Sequence, residues 1–252
     1  DLVDQAAATS RYRFILSSFA RRHTAHSLLA YQLKDESSPT YKSYTQVRRR
    51  LERQGVMSYS ASQRYVDWLI VNGYAATGLT SLTGAPYFQF EPSMKRLVQD
   101  SMTVWLKAAL HIRHGESAIL SKSSAQPKLT DQFVIALDDL HSSISDQAWR
   151  EKLQIYRHFV STDCTEMLLS YCWKKSNFTV AGEPFRLNKQ RISVEFGLSR
   201  AACSTAIKRM VSVGFLAEHS RSYTINPLLV DTCKLLLGER LNGYYAAWQS
   251  VQ

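Results

Sequence analysis

The chain has 252 residues, of which 45% are apolar. That is enough for two compact domains with their own cores, and too apolar for a disordered chain. The net charge of +10 favours polyanionic partners, nucleic acid or an anionic membrane surface, through an attraction that salt screens. No run reaches the ~18 to 20 apolar residues of a membrane span, so no membrane partner is expected. Cys164, Cys172, Cys203 and Cys233 lie too far apart for a disulfide framework or a zinc site, and reduced thiols are expected. The start, Asp1-Leu-Val-Asp-Gln5, lacks the basic and apolar regions of a signal peptide. No Met opens the chain, which is therefore expected to be trimmed at its start.

In chain order, Phe14, Ile15, Ala20, Leu28, Leu29 and Tyr31 recur at helical spacing and predict a helix over 11–33. A second helix through Val47 and Leu51 turns at Gly55-Val56-Met57-Ser58. A third continues through Tyr65, Val66 and Leu69 to Gly73-Tyr74. Two strands follow, from Tyr74 to Gly78 and from Tyr87 to Phe90, with Gly78, Gly84 and Pro86 in the turn region. Pro92 then suits a first helical turn. Residues 113–132, polar and without a period, read as an exposed connection, and a short helix from Phe133 to His141 follows.

The pattern then repeats about 141 residues later. Met57 matches Leu198, Ser58 matches Ser199, Ala61 matches Ala202, Leu69 matches Met210, and Gly73-Tyr74 matches Gly214-Phe215. The match reaches back into a leading helix expected over 152–173, where Ile15 pairs with Ile155, Phe19 with Phe159 and Tyr31 with Tyr171. A second hairpin is expected between Phe215 and Ile225, with Asn226-Pro227 opening the last helix. Such a duplication divides the chain into a first unit at 1–112, a connecting segment with a short helix at 113–147, and a second unit at 148–252.

Two helices joined by a tight turn, the second presenting donors, form a helix-turn-helix whose second helix enters the DNA major groove. In the second copy Cys203, Ile207 and Met210 mark the core face, leaving Arg200, Ser204, Thr205 and Lys208 outward. In the first, Tyr65, Val66 and Leu69 turn inward and Tyr59, Ser60, Gln63, Arg64 and Asp67 outward. Arg64 or Arg200 suits guanine, Gln63 suits adenine, and Asp67 suits cytosine N4. The two sets differ, so two non-identical half-sites are expected. Arg48, Arg49, Arg50 and Arg53 on the first brace helix, Lys189 and Arg191 on the second, and Arg221 at a hairpin tip are the expected phosphate contacts.

Other chemistry finds little support. His23-x-x-His26 and His111-x-x-His114 lack further ligands and read as surface pairs, so no metal and no cofactor is expected. No nucleophile-elbow, phosphate-loop or dinucleotide fingerprint is present, and no enzymatic role is expected. Trp105, Tyr244, Tyr245 and Trp248 read as packing residues, with a dimer seam or a ligand cavity as alternatives.

The order helix, helix, helix, two-stranded wing, helix, seen twice, resembles the winged helix-turn-helix regulators of bacteria, most of all the MarR type. The resemblance covers about three-quarters of the chain. It implies a mainly α fold with small β-hairpin wings and a cytoplasmic, nucleoid-associated regulator of transcription. In the MarR type a small ligand, often phenolic, relieves DNA binding. The Asp-x-Arg pattern usual in MarR wings is absent from both hairpins, with Arg221 the residue placed to act in its stead. The leading expectation is a repressor that binds double-stranded DNA, with a small-molecule effector and a homodimer left open. The alternatives are a plasmid-type replication initiator binding origin repeats and a winged-helix adaptor that binds protein.

Overall fold

The computed structural model describes residues 18–34, 44–79, 86–122, 130–148, 168, 171–172, 184–196, 199–220 and 222–252 (for 86, 114–122, 194–196 and 236, the backbone alone). These residues are mainly helical, with two small antiparallel hairpins. The first repeat contains α1 (Phe19–Leu33), α2 (Tyr44–Arg53), α3 (Tyr59–Val71), β1 (Ala75–Leu79), β2 (Pro86–Phe90) and α4 (Pro92–Lys122), followed by α5 (Asp131–Ser143). The second contains α6 (Lys189–Phe196), α7 (Arg200–Ser212), β3 (Leu216–His219), β4 (Ser222–Ile225) and α8 (Pro227–Gln249). The chain divides into two compact units, Arg22–Glu151 with Glu239–Gln252, and Val3–Arg21 with Lys152–Gly238. The segment expected as a connection at 113–147 thus belongs to the unit of the first repeat. The end of the chain groups with that unit as well.

Local chemistry repeats almost atom for atom between α3 and α7, each 13 residues long. Each begins at a serine in extended conformation whose Oγ accepts from the amide three residues on, Ser58 from Ala61 at 3.2 Å and Ser199 from Ala202 at 3.0 Å. These caps satisfy an amide that the first helical turn leaves open. Each helix ends at a glycine with positive φ, Gly73 at 70° and Gly214 at 77°. The glycine and its successor turn their amides back onto the last carbonyls: Gly73 N–H to Ile70 O and Tyr74 N–H to Leu69 O, as Gly214 N–H to Val211 O and Phe215 N–H to Met210 O. That is the Schellman closure, which needs a left-handed residue. The chain then passes directly into a strand in both repeats.

Burial repeats too. Ser62, Tyr65, Val66 and Leu69 are the buried positions of α3, and Cys203, Ala206, Ile207 and Met210 those of α7. The expected inward residues are therefore inward. Each fully buried Leu or Met side chain of this kind stabilises its unit by about 1.5–3 kcal/mol.

A two-stranded antiparallel hairpin follows the closing turn in each repeat. Ala75 pairs with Phe90 and Leu79 with Pro86 in the first; Leu216 pairs with Ile225 and His219 with Ser222 in the second. An amide just past each hairpin is drawn back to the residue ending the helix turn, Glu91 N–H to Tyr74 O at 2.9 Å and Asn226 N–H to Phe215 O at 3.0 Å. Phe88 and Phe90 point into the first core, where Phe88 stacks on Tyr44 at 5.6 Å between centroids. In the second unit Phe185 forms a further antiparallel bridge with Tyr223. Pro92 and Pro227 open α4 and α8, where a missing N–H costs nothing.

Several expectations change. The connection at 113–132 is helical up to Lys122, because α4 runs through Gly115, and the short helix begins earlier, at Asp131, with Thr130 as its cap. A single glycine costs a helix only about 1 kcal/mol, less than the buried ridge of Met94, Val98, Met102 and Leu106 supplies to the same helix. His23 is buried rather than a surface residue, its ring 4.8 Å from that of His141. His26 is half-buried and within 3.3 Å of Ser101 Oγ. Of the aromatic residues with open roles, Tyr244 is buried against Phe133, Trp248 lies 6.5 Å from the same ring, Arg240 stacks over Trp105 and Arg113 over Tyr245. These are packing contacts within one unit. Cys172, Cys203 and Cys233 are buried free thiols, and burial pushes the Cys172 thiol up to about 12. Among the described residues no helix is long and apolar enough to cross a membrane. The leading helix expected over 152–173 lies outside the described residues except for Leu168, Tyr171 and Cys172, which are helical and buried.

Candidate nucleic-acid interface

The outward face of α7 is cationic and open. Arg200, Thr205 and Lys208 are exposed and Ser204 is half-buried. Arg200 follows the capping serine directly, so its guanidinium rises from the first turn, while Lys208 lies two turns further along. On the preceding helix, Asn188 Oδ1 caps the Arg191 amide at 2.9 Å, and Lys189 and Arg191 are both exposed. Of the described residues expected to contact DNA in this repeat, all but the half-buried Ser204 are thus exposed. Arg221 lies outside the described residues.

The first repeat uses its cations differently. Arg48, expected among the phosphate contacts, is only 3% exposed. Its Nε donates to Ser62 Oγ at 3.2 Å, its Nη2 to the carbonyl of Tyr59 at 3.2 Å, and its guanidinium lies 4.0 Å from the centre of the Tyr59 ring. Glu52 Oε1 also accepts from the Tyr59 amide at 3.1 Å. Arg48 and Glu52 of α2 thus tie down the first turn of α3. Tyr59, expected outward, is half-buried beneath that guanidinium. The correction has a plain cause: a guanidinium is less strongly hydrated than an ammonium, and its planar donors and an aromatic neighbour offset part of the desolvation that burial imposes.

Arg50 is buried as well. It donates through Nη2 to Asp138 Oδ1 at 2.6 Å and to Ser27 Oγ at 2.9 Å, and through Nη1 to Ser142 Oγ. Lys34 Nζ reaches Asp138 Oδ2 at 3.1 Å and Asp139 Oδ1 at 2.7 Å. Burial alone would raise the Asp138 pKa, but Arg50 and then Lys34 outweigh it and hold the carboxyl below the ordinary aspartate value. Arg53 is at the surface but paired with Asp146 at 2.9 Å. Of the four arginines on α2, Arg49 alone is exposed with no acidic partner among the described residues.

On α3 itself, Ser60, Arg64 and Asp67 are exposed and Gln63 is half-buried. Gln63 Nε2 donates to Asp67 Oδ1 at 2.5 Å, an i,i+4 pair. Their i,i+4 spacing is itself a sufficient signal for this contact.

Position by position α3 and α7 bury corresponding residues, while their outward faces and the helices before them diverge. Buried Arg48 corresponds to exposed Lys189, buried Arg50 to exposed Arg191, Tyr59 to Arg200, and Asp67 to Lys208. Ser62, which receives Arg48, corresponds to Cys203, which has no hydroxyl to offer one. The outward face of α3 carries one cation and one anion; that of α7 carries two cations. Among the described residues no group of three or more His, Cys, Asp or Glu side chains is arranged to hold a metal ion. No protein-family model matches the chain, and no curated protein matches it.

Proposed function

We propose that the chain is a sequence-specific, double-stranded DNA-binding regulator of transcription, a tandem winged helix-turn-helix of the MarR kind with α3 and α7 as its reading helices. One observation carries this reading. Two helices share the same cap, the same closure, the same buried positions and the same passage into a hairpin, yet present different polar residues outward. A conserved-in-form frame with divergent faces suits two heads reading unlike half-sites, because base edges are selected by the side chains and not by the frame. The net charge of +10 supplies the attraction to phosphate.

The heads have unequal tasks. The second head anchors: Lys189 and Arg191 meet phosphates, and Arg200 and Lys208 reach guanines or the backbone beside them. The first head discriminates: its outward face is neutral overall, and Arg48 and Arg50 serve its fold. Arg200→Ala should therefore cost about 1–3 kcal/mol and relax selection in one half-site, while Arg64→Ala relaxes selection in the other with a smaller loss of affinity. Fluorescence anisotropy with a selected duplex measures both. Equal, sequence-independent losses from the two substitutions would contradict the assignment of reading heads.

A further inference from the structure

We infer that Asp67 is a specificity-determining residue of α3, holding the Gln63 amide in the orientation that selects adenine. The inference rests on the DNA-binding reading above. Gln63 and Asp67 lie one turn apart on the outward side of α3, joined by the 2.5 Å bond from Gln63 Nε2 to Asp67 Oδ1. An ionised carboxylate only accepts hydrogen bonds, so the amide nitrogen has to be the atom facing it. Of the amide's remaining groups, one N–H and the carbonyl oxygen are left for a base. Adenine offers in the major groove one acceptor, N7, and one donor, the N6 amino group, which that pair of groups matches. Guanine offers two acceptors, N7 and O6. It asks for two N–H groups, and Asp67 has already taken one.

Gln63 without such a partner could turn its amide either way and lose rotamer entropy only on binding. Asp67 removes both losses before DNA arrives. A carboxylate near the DNA backbone also repels phosphate, so Asp67 lowers affinity for every sequence while raising discrimination at one base pair. The second repeat has no counterpart of the device, since Gln63 and Asp67 correspond there to Ser204 and Lys208.

The test is selection from randomised duplex DNA with the full chain, its Gln63→Ala, Asp67→Ala and Asp67→Asn variants, and the Gln63→Ala, Asp67→Ala double variant, followed by competition titrations on the selected site. The wild-type chain should prefer adenine at one position by roughly 5- to 100-fold, the discrimination of one good bidentate contact. Gln63→Ala should abolish that preference. Asp67→Ala should reduce it at the same position while tightening binding to random duplex, and the double variant should discriminate no worse than Gln63→Ala. Because Asp67 is exposed, thermal melting of its variants should match the wild type. An unchanged adenine preference in Asp67→Ala, or a lost preference for cytosine instead, overturns the inference while leaving the DNA-binding reading intact. Failure of the wild-type chain to bind duplex DNA at all overturns that reading, and this inference with it.

Discussion

Replacing Asp138 by Asn leaves the shape of α5 almost unchanged but removes the buried carboxylate that Arg50 and Lys34 share. Three donors converge on it: Arg50 Nη2 at 2.6 Å, Arg50 Nη1 at 3.3 Å and Lys34 Nζ at 3.1 Å. The Asp138 and Arg50 side chains are 6% and 5% exposed, so solvent cannot take the carboxylate's place. Removing one partner of a buried pair costs about 3–5 kcal/mol, chiefly because the other charge remains desolvated. Lys34 keeps Asp139, so the loss falls mostly on Arg50. At an m-value of about 2 kcal/mol per M, the urea midpoint of the Arg22–Glu151 unit should drop by about 1.5–2.5 M. The assay is urea denaturation followed by tryptophan fluorescence between pH 7 and pH 2. The folded-state pKa of Asp138 is depressed. Its stabilisation is therefore complete above the unfolded value of about 3.9 and is lost as pH falls through the lower folded value. The difference between wild type and Asp138→Asn should accordingly shrink below about pH 4. A midpoint unchanged at pH 7, or a difference that persists undiminished at pH 2, would refute the ion-pair account.

Three further outcomes follow from other parts of the structure. A Cβ on Gly73 or Gly214 meets nothing within 4 Å, so only the positive φ opposes alanine there; Gly73→Ala and Gly214→Ala should each cost about 1–2 kcal/mol in thermal or urea unfolding, and a neutral result would contradict the left-handed closure. Lys189→Ala should lower the slope of log affinity against log salt by about one, whereas Arg48→Ala should leave that slope alone and instead destabilise the first-repeat unit; identical effects would show that both face phosphate. Burial, then His141, lowers the His23 pKa well below its ordinary value, and burial, then Arg22, lowers that of His26 to about 3. Both rings are therefore neutral when folded, and the stability they contribute is fully present above about pH 6.5 and falls as acid protonates the unfolded chain first. His23→Gln with His26→Gln should flatten stability between about pH 6.5 and 4, and a slope equal to that of the wild type would rule these histidines out as its source.

The frame of each repeat was legible because its signals are local. Ser58 and Ser199, Gly73 and Gly214, and Pro92 and Pro227 punctuate their helices by chemistry that spans four or five residues. The inward positions of α3 and α7 were legible from period alone. The fate of the arginines on α2 was not. Arg48-Arg49-Arg50 looks like a solvated run, and nothing nearby reveals that two of the three turn inward. The partner of Arg50 lies 88 residues away on α5, and that of Arg53 lies 93 residues away. In the sequence Asp138-Asp139 is only a local pair of acids, whereas in the fold Asp138 holds the buried Arg50 guanidinium of another helix. The extent of α4 was hidden for the opposite reason: Gly115 and the serines beyond it are strong local signals of a break, yet the backbone stays helical through Lys122. Local rules thus located both outward faces, and long-range pairing determined how many cations each face keeps.

The claim that two unlike heads read one stretch of DNA is tested most directly by anisotropy titration of the chain against randomised duplex at several salt concentrations, with sequencing of the bound fraction. The account predicts steeply salt-dependent binding and enrichment of an asymmetric site with two unlike halves, one lost in Arg200→Ala and the other in Arg64→Ala. Binding that is shallow in salt, or that enriches no sequence, would contradict it.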